Sequence, residues 1–534
     1  MSTVKPPSTW MKTIVASMTS YIDAGAIVAG AAGLTLWTDY LGMSTKQIGL
    51  LNACSANALS AAVGALIGGR ICDLFGRKLV YTYDLLFYIL GILVIIFSTS
   101  YPMLLAGFII AGLAVGADVA ASWTLIAENA PAENRARHCG TAQLMWALGP
   151  AAVLLLSGVI SFYLSDSVKD KTLKEMKTQV EALELREKSL LAVEKASLGL
   201  ENVLQKQAET DPSVALLIPQ VQTQLTQVKT QLEMVQASIS EVKPAQKEFA
   251  FELAQKYLPG NKLVFAHLAV IAFIVWIMRL RMPESEEWIS NKEKEKQLIE
   301  AGVWQKTSYL DLFTNSINLR GLLLLIGVYM IWNLAAGTGG GLLPYIYNKV
   351  GGVTVGQSQF LTALLFGTSC FATLFIFMTL ADKFSRRVIY CVIACLYIAA
   401  WGLMLLPNMF HGITILGITI PGIAIFAIAS ILMGINNGSG QQAFYQMWGA
   451  EMFPARYRAA AQGFSFFTAR FCLAIWLFIV PIIIGDNGEG MPIAAAILVT
   501  FATISMLIGT IFCPNTAGKT LEQIEEERYG KKSG

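Results

Sequence analysis

The chain has 534 residues, of which 55% are hydrophobic and only 14% are charged. A soluble domain carries about 25% charged residues, so most of this surface meets lipid rather than water. The net charge of +3 gives no reason to expect a nucleic-acid partner, and eight scattered cysteines with three histidines argue against a clustered metal site.

An apolar run of about 20 residues crosses a bilayer as a helix. Such runs fall at 13–38, 47–71, 79–99, 102–126, 140–164, 262–281, 319–347, 357–381, 388–407, 414–439, 460–485 and 491–513. They predict an all-α membrane protein with twelve transmembrane helices. The first run follows Lys5 and Lys12 and is followed by further spans, so it reads as a span rather than a cleavable signal.

Between spans 5 and 6 lies a hydrophilic insert, 165–260. Val214, Leu217, Val221, Leu225, Val228, Leu232, Val235, Ile239 and Val242 recur in it at three- and four-residue steps. Leu173, Met176, Val180 and Leu183 begin a similar stripe, and Asp211-Pro212-Ser213 marks a turn between them. The pattern predicts an antiparallel, coiled-coil-like helical hairpin on the extracytoplasmic side, with Pro219 shifting or kinking the start of its second helix. A spacer or shield is its plain reading; docking an outer partner or gating is the sharper one.

Charge sets the orientation. Arg70, Arg77, Lys78, Arg135, Arg137, Arg279, Arg281, Lys383, Arg386, Arg387, Arg456 and Arg458 follow even-numbered spans, while the opposite short loops hold little beyond Lys46 and Lys349. The positive-inside rule places both termini in the cytosol of a cell membrane, plasma or bacterial inner. The layout is 1–164 for spans 1–5, 165–260 for the hairpin, 261–281 for span 6, 282–318 for a cytosolic linker with short helices, 319–513 for spans 7–12 and 514–534 for a cytosolic tail.

Two features are duplicated in register. After span 2 the chain reads Gly69-Arg-Ile-Cys-Asp73-Leu-Phe-Gly76-Arg77-Lys78, and after span 8 Ala381-Asp382-Lys383-Phe-Ser385-Arg386-Arg387. Span 4 ends Glu128-Asn-Ala-Pro131-Ala-Glu133-Asn-Arg135-Ala-Arg137, and span 10 ends Glu451-Met-Phe-Pro454-Ala-Arg456-Tyr-Arg458. Two parallel halves of six spans follow, facing one another across a midplane cavity. Carboxylates and guanidinium groups at these ends can pair in one state and part in another, which makes them candidate latches.

With Pro283-Glu284-Ser285-Glu-Glu-Trp288 after span 6 and Pro514-Asn-Thr-Ala-Gly518-Lys-Thr-Leu521-Glu522-Gln-Ile524 after span 12, the chain resembles the major facilitator superfamily and, within it, the sugar porter family. The resemblance covers all twelve spans and omits the insert. It implies a monomeric secondary transporter of a small polar solute, with no cofactor and no metal, working by rocker-switch alternating access. The latch candidates are Asp73, Gly76, Arg77, Glu128, Arg135, Arg137, Glu284, Asp382, Arg386, Arg387, Glu451, Arg456 and Arg458.

Ionisable groups at bilayer depth are costly and are functional candidates by default. Asp23 in span 1 stands where proton-coupled sugar porters have an acid, so the resemblance implies proton symport. The family's arginine early in span 4 is absent, because Ala106-Gly107-Phe108 stands there. Asp118 in span 4 and Arg470 in span 11 appear instead, and Arg470 is expected to pair with Asp23 or Asp118, or to bind an anionic solute group. Gln143 falls on the family's sugar-contacting glutamine. Trp332, Asn333, Asn436, Asn437, Gln441 and Gln446 complete a lining of amides and an indole suited to hydroxyl groups. A sugar, polyol or inositol is the expected solute. An organic anion or sugar acid held by Arg470, and a transporter-like sensor signalling through the insert, are the alternatives. No nucleophile–base pair or phosphate loop suggests an enzyme.

Overall fold

The computed structural model describes residues 8–530 apart from 56, 165–166, 301–309, 348–354, 407–412, 416–417 and 485–489. Lys5, Lys349 and part of the 282–318 linker therefore lie outside the described residues. The chain divides into two compact units, one of 1–32, 44–158 and 261–534, the other of 33–43 and 159–260.

The larger unit holds the membrane helices. Eleven helices among the described residues are long and apolar enough to cross a bilayer. Span 1 is Thr9–Leu41, span 3 Arg77–Ile96, span 4 Tyr101–Asn129, span 5 Arg135–Leu164 and span 7 Ser316–Tyr345. Span 6 is the last part of a long helix, Ile218–Leu280. Span 8 is Val355–Ala372 with a short π-helical continuation, span 9 Arg386–Gly402, span 11 Ala455–Ile484 and span 12 Met491–Phe512. Exposed apolar side chains such as Phe97, Leu155, Phe478 and Ile482 stud their outer faces, as lipid contact requires.

Two spans depart from the sequence-based boundaries. Span 2 is not one helix: Thr45–Ala53 and Leu59–Phe75 are separate helices, with turn residues at Cys54, Asn57 and Ala58 between them. Span 10 does not start at 414. Residues 413–415 and 418–420 form a two-stranded antiparallel ribbon with Thr414 opposite Thr419. Ile-Thr-Ile, Leu-Gly, Ile-Thr-Ile alternates with a period of two and carries β-branched side chains, which favour strand over helix. The helix then runs Gly422–Ser439, breaks at Gly440 and resumes as Gln441–Glu451.

Span 2 packs against spans 4 and 11, span 8 against span 10, and span 9 against span 12. The crossing of spans 2 and 11 is backbone-close. A Cβ on Gly463 would strike the carbonyl oxygen of Ala65, so a small residue is required there.

In the smaller unit, Ser167–Ala208 and the first part of Ile218–Leu280 run antiparallel. Gln222 bonds Glu201, Gln236 bonds Glu187, Lys243 pairs with Glu184, and Tyr257 donates to Asp170. Val180, Leu204, Val221, Leu225, Leu232 and Val235 are buried. Pro212–Leu217 is a 3₁₀ turn, so Val214 and Leu217 lie before the second helix. Pro219 falls in that helix's first turn, where a missing N–H costs nothing.

Candidate functional site

The site is built from two levels of the membrane unit: a ring of charges at the loop-motif end, and polar groups buried deeper among the spans.

At the loop-motif end each half supplies the same parts. Glu128 accepts Nη2 of Arg77 at 3.0 Å from its own half and Nη1 of Arg458 at 2.9 Å from the other. Glu451 accepts Nη1 of Arg386 at 2.8 Å from its own half and Nη1 of Arg135 at 2.8 Å from the other. Asp73 accepts the backbone N–H of Ala460 at 2.7 Å, and Asp382 accepts that of Ala136 at 3.0 Å. Each aspartate thus holds the early part of a helix in the opposite half, where backbone donors favour negative charge.

The pseudo-symmetry extends beyond the duplicated loop motifs. Ser285 donates to Glu128 at 2.6 Å, and Thr516 donates to Glu451 at 2.6 Å. Glu284 accepts the N–H groups of Arg77 and Lys78 at 3.1 and 3.0 Å, and Asn515 accepts that of Arg386 at 3.4 Å. Pro283-Glu-Ser and Pro514-Asn-Thr are therefore equivalent clamps. Gly76 has φ +101°, and a Cβ there would collide with the Glu284 carboxylate. Only glycine allows this cap.

Three latch candidates stand outside this ring. Arg137 and Arg456 are exposed and form no ion pair among the described residues; the Arg456 guanidinium lies over the Tyr457 ring. Arg387 donates to the carbonyl of Cys513 at 2.5 Å. Asp382 lies in the loop between spans 8 and 9, and its partial burial pushes its carboxyl above the usual carboxylate range despite Arg386 and the Ala136 N–H. All eight cysteines are free thiols; Cys72 and Cys139 are buried beneath the ring, and the Cys72 carbonyl accepts Nη1 of Arg77.

Deeper in, a cavity of about 100 Å³ opens between the halves. Trp332, Asn333, Asn436 and Asn437 line it, as does Arg470. Asn333 Oδ1 is buried there without a partner among the described residues. Trp332 Nε1 donates to Asn436 Oδ1 at 2.9 Å, and Asn436 Nδ2 donates to Gln441 at 2.6 Å. Gln441 is thus a support and not a lining residue. Gln143 and Gln446 also sit behind the wall. Gln143 donates to the carbonyl of Asn437 at 2.5 Å, next to the break at Gly440, and Gln446 donates to Gln143 at 3.3 Å. Asn57, Trp146, Tyr397 and Gln442 line the cavity too. Asn57 and Trp146 gave no motif signal, and Gln442 is visible only as one more amide of span 10.

Arg470 pairs with neither aspartate. Its Nη1 donates to the side chain and carbonyl of Asn57 at 2.6 and 3.3 Å, in the turn that interrupts span 2. Its guanidinium lies 4.9 Å from the Phe466 ring centroid. A helix break leaves carbonyls without partners, and the arginine caps one of them.

Asp118 is paired with Arg279 Nη2 at 3.0 Å and accepts the hydroxyl of Ser122. Arg279 is fully buried and reaches Asp84 through Nη1 at 3.5 Å. This corrects its placement among the loop charges: the two buried carboxylates, Asp84 and Asp118, hold it inward. Asp23 is 1% exposed, and neither carboxylate oxygen has a partner among the described residues.

The Major Facilitator Superfamily model matches residues 13–165, and the Sugar (and other) transporter model matches 278–527. The minor myo-inositol transporter IolF of Bacillus subtilis (strain 168) is 42% identical over 520 residues, covering 97% of this chain and 94% of that protein. The chain belongs to the sugar porter family of the major facilitator superfamily. It is a multi-pass membrane transporter and not an enzyme. The probable polyol transporter 6 of Arabidopsis thaliana is 30% identical over 159 residues, 28% of this chain and 30% of its own. The structure of the proton:xylose symporter XylE bound to 6-bromo-6-deoxy-D-glucose has the same fold, with a TM-score of 0.64 at 16% identity, covering 97% of this transporter and 98% of that chain.

Proposed function

We propose that this transporter carries a cyclic polyol of the inositol type together with a proton, by alternating access between its halves. The observation that carries the reading is the cavity between the halves, where indoles, amides and a buried, unpartnered Asn333 oxygen meet. Ring hydroxyls both donate and accept, and such amides answer both demands. The name of the 42%-identical relative supports the inositol class. Asp23 is the proton carrier, because a carboxylate buried without a partner is costly while ionised and is relieved by protonation. The charged ring lies on the cytosolic side, and its closure makes this the state that is shut toward the cytosol.

Arg470 supports a second reading, an anionic solute such as a sugar acid. It lines the cavity and forms no ion pair with a carboxylate among the described residues.

One experiment separates the readings. The purified transporter is reconstituted in vesicles, and uptake is measured with neutral polyols and sugar acids in competition. Neutral polyols should compete, and Asp23→Asn should abolish proton-driven accumulation while leaving solute exchange. Unaltered accumulation by Asp23→Asn would sink the proton role. Competition by sugar acids alone, lost in Arg470→Gln, would replace the polyol.

A further inference from the structure

A second, smaller cavity lies inside the N-terminal half. Thr19, Asp23, Asp84, Tyr88 and Asp118 line it, and its volume of about 10 Å³ is near the least that can hold one water. Arg279 closes one side, with Nη1 toward Asp84 and Nη2 toward Asp118. From this arrangement we infer that Asp84, Asp118 and Arg279 form a second proton site, which receives the proton from Asp23 and passes it toward the charged ring. The inference rests on the proton-coupled reading above.

The charge count supports it. Three carboxyl groups border the cavity, and Arg279 can neutralise one of them. The other titratable or charged groups facing them are Cys72 from span 2, Tyr88 from span 3, Tyr329 from span 7 and Arg470 from span 11. Arg470 is the one further cation among these, so one carboxyl remains in excess. At bilayer depth an excess charge is costly, and a proton is the smallest group that removes it. The geometry offers it three unpartnered acceptor oxygens: both oxygens of Asp23 and Oδ2 of Asp84 are buried without partners among the described residues.

The position fits a relay. Thr19 precedes Asp23 by one helical turn toward the start of span 1, and its hydroxyl bonds Arg279. Asp118 and Ser122 lie on the span that ends in Glu128 of the ring. In the transfer, an O–H bond on Asp23 breaks and an O–H bond on Asp118 forms. Asp23 is left ionised toward Arg470, and Arg279 shifts its pairing to Asp84. One proton moves, charge is conserved, and no electrons are exchanged. Protonating Asp118 loosens the Arg279 contact that ties span 6 to span 4, which links proton arrival to helix movement.

The full-length protein in vesicles with an internal pH indicator tests this. Proton entry per solute is recorded with myo-inositol, or with the solute that competes best in the panel above. Asp84→Asn and Asp118→Asn should each lower proton entry per solute about tenfold, while exchange changes by about twofold or less. Asp84→Glu, which keeps a carboxyl group, should retain coupling and shift the pH midpoint of uptake. If Asp23→Asn uncouples but both asparagine variants keep the wild-type ratio and pH profile, the second site is overturned and the coupling reading stands. If the wild type moves solute with no proton entry, or with sodium entry instead, both fall. Should the asparagine variants melt before assay, the glutamate variant decides, and an unchanged pH midpoint overturns the site.

Discussion

The interiors of the two halves differ in kind. The N-terminal half buries Asp23, Asp84, Asp118 and Arg279, whereas the C-terminal half buries Asn333, Asn436, Gln441, Gln442 and Gln446, with Arg470 its cation near the cavity. Yet the loop-motif ends of the two halves match part for part, down to the hydroxyls of Ser285 and Thr516. The duplication is thus retained at the charged ring and abandoned in the interior. On the proposed reading, one half handles charge and the other hydroxyl groups.

The strongest test of that division is Arg279→Leu. Removing one partner of a buried ion pair costs about 3–5 kcal/mol, because the other charge remains unpaired. The variant should melt at much lower temperature, and adding Asp118→Asn and Asp84→Asn should recover most of the loss. Melting curves in detergent decide it, and a silent Arg279→Leu would show that the cluster is not a charge centre.

Glu128→Gln and Glu451→Gln probe the symmetric ends. Each should release two arginines and shift the resting state toward cytosolic opening, by similar amounts in the two variants. Accessibility of engineered reporters from the cytosolic side checks this. A large effect from one glutamate and none from the other would break the equivalence.

The smallest effect is expected in the amide half. Asn436→Ala removes the acceptor of Trp332 Nε1 and should raise the KM for solute about tenfold with the proton ratio unchanged, since one lost buried hydrogen bond is worth about 1–3 kcal/mol. A change in proton ratio would show that the two interiors are not separate in function.

Much of the frame was legible in the sequence because it depends on repetition. Asp73 and Asp382, and Glu128 and Glu451, stand at matching span ends, so register alone predicts that they form matched sets. Arg279 was misplaced because it lies two residues from Arg281 at the end of an apolar run, and charge placement alone cannot separate a buried guanidinium from a loop one. Its partners Asp84 and Asp118 sit on different spans, and only packing brings them together. Asp84 carries no motif signal in the sequence. The break in span 2 was hidden because Cys54-Ser-Ala-Asn57 contains neither proline nor glycine; Arg470 reveals it by capping Asn57. Gln143, Gln441 and Gln446 were read as solute ligands because they are amides at cavity depth. In this structure their side chains bond Asn436, the Asn437 carbonyl and one another behind the wall.

The thiols of Cys72 and Cys139 give the charged ring a readout of its own. Both are buried under it, one in each pair of matching ends: Cys72 beside Arg77 and Cys139 on the helix that begins with Arg135. A membrane-impermeant maleimide offered from the ring side cannot reach them while the ring is closed, and can once it parts. The native protein therefore carries two chemical clocks, both in the N-terminal half, whose alkylation rates would time the parting of the ring as solute and pH are varied.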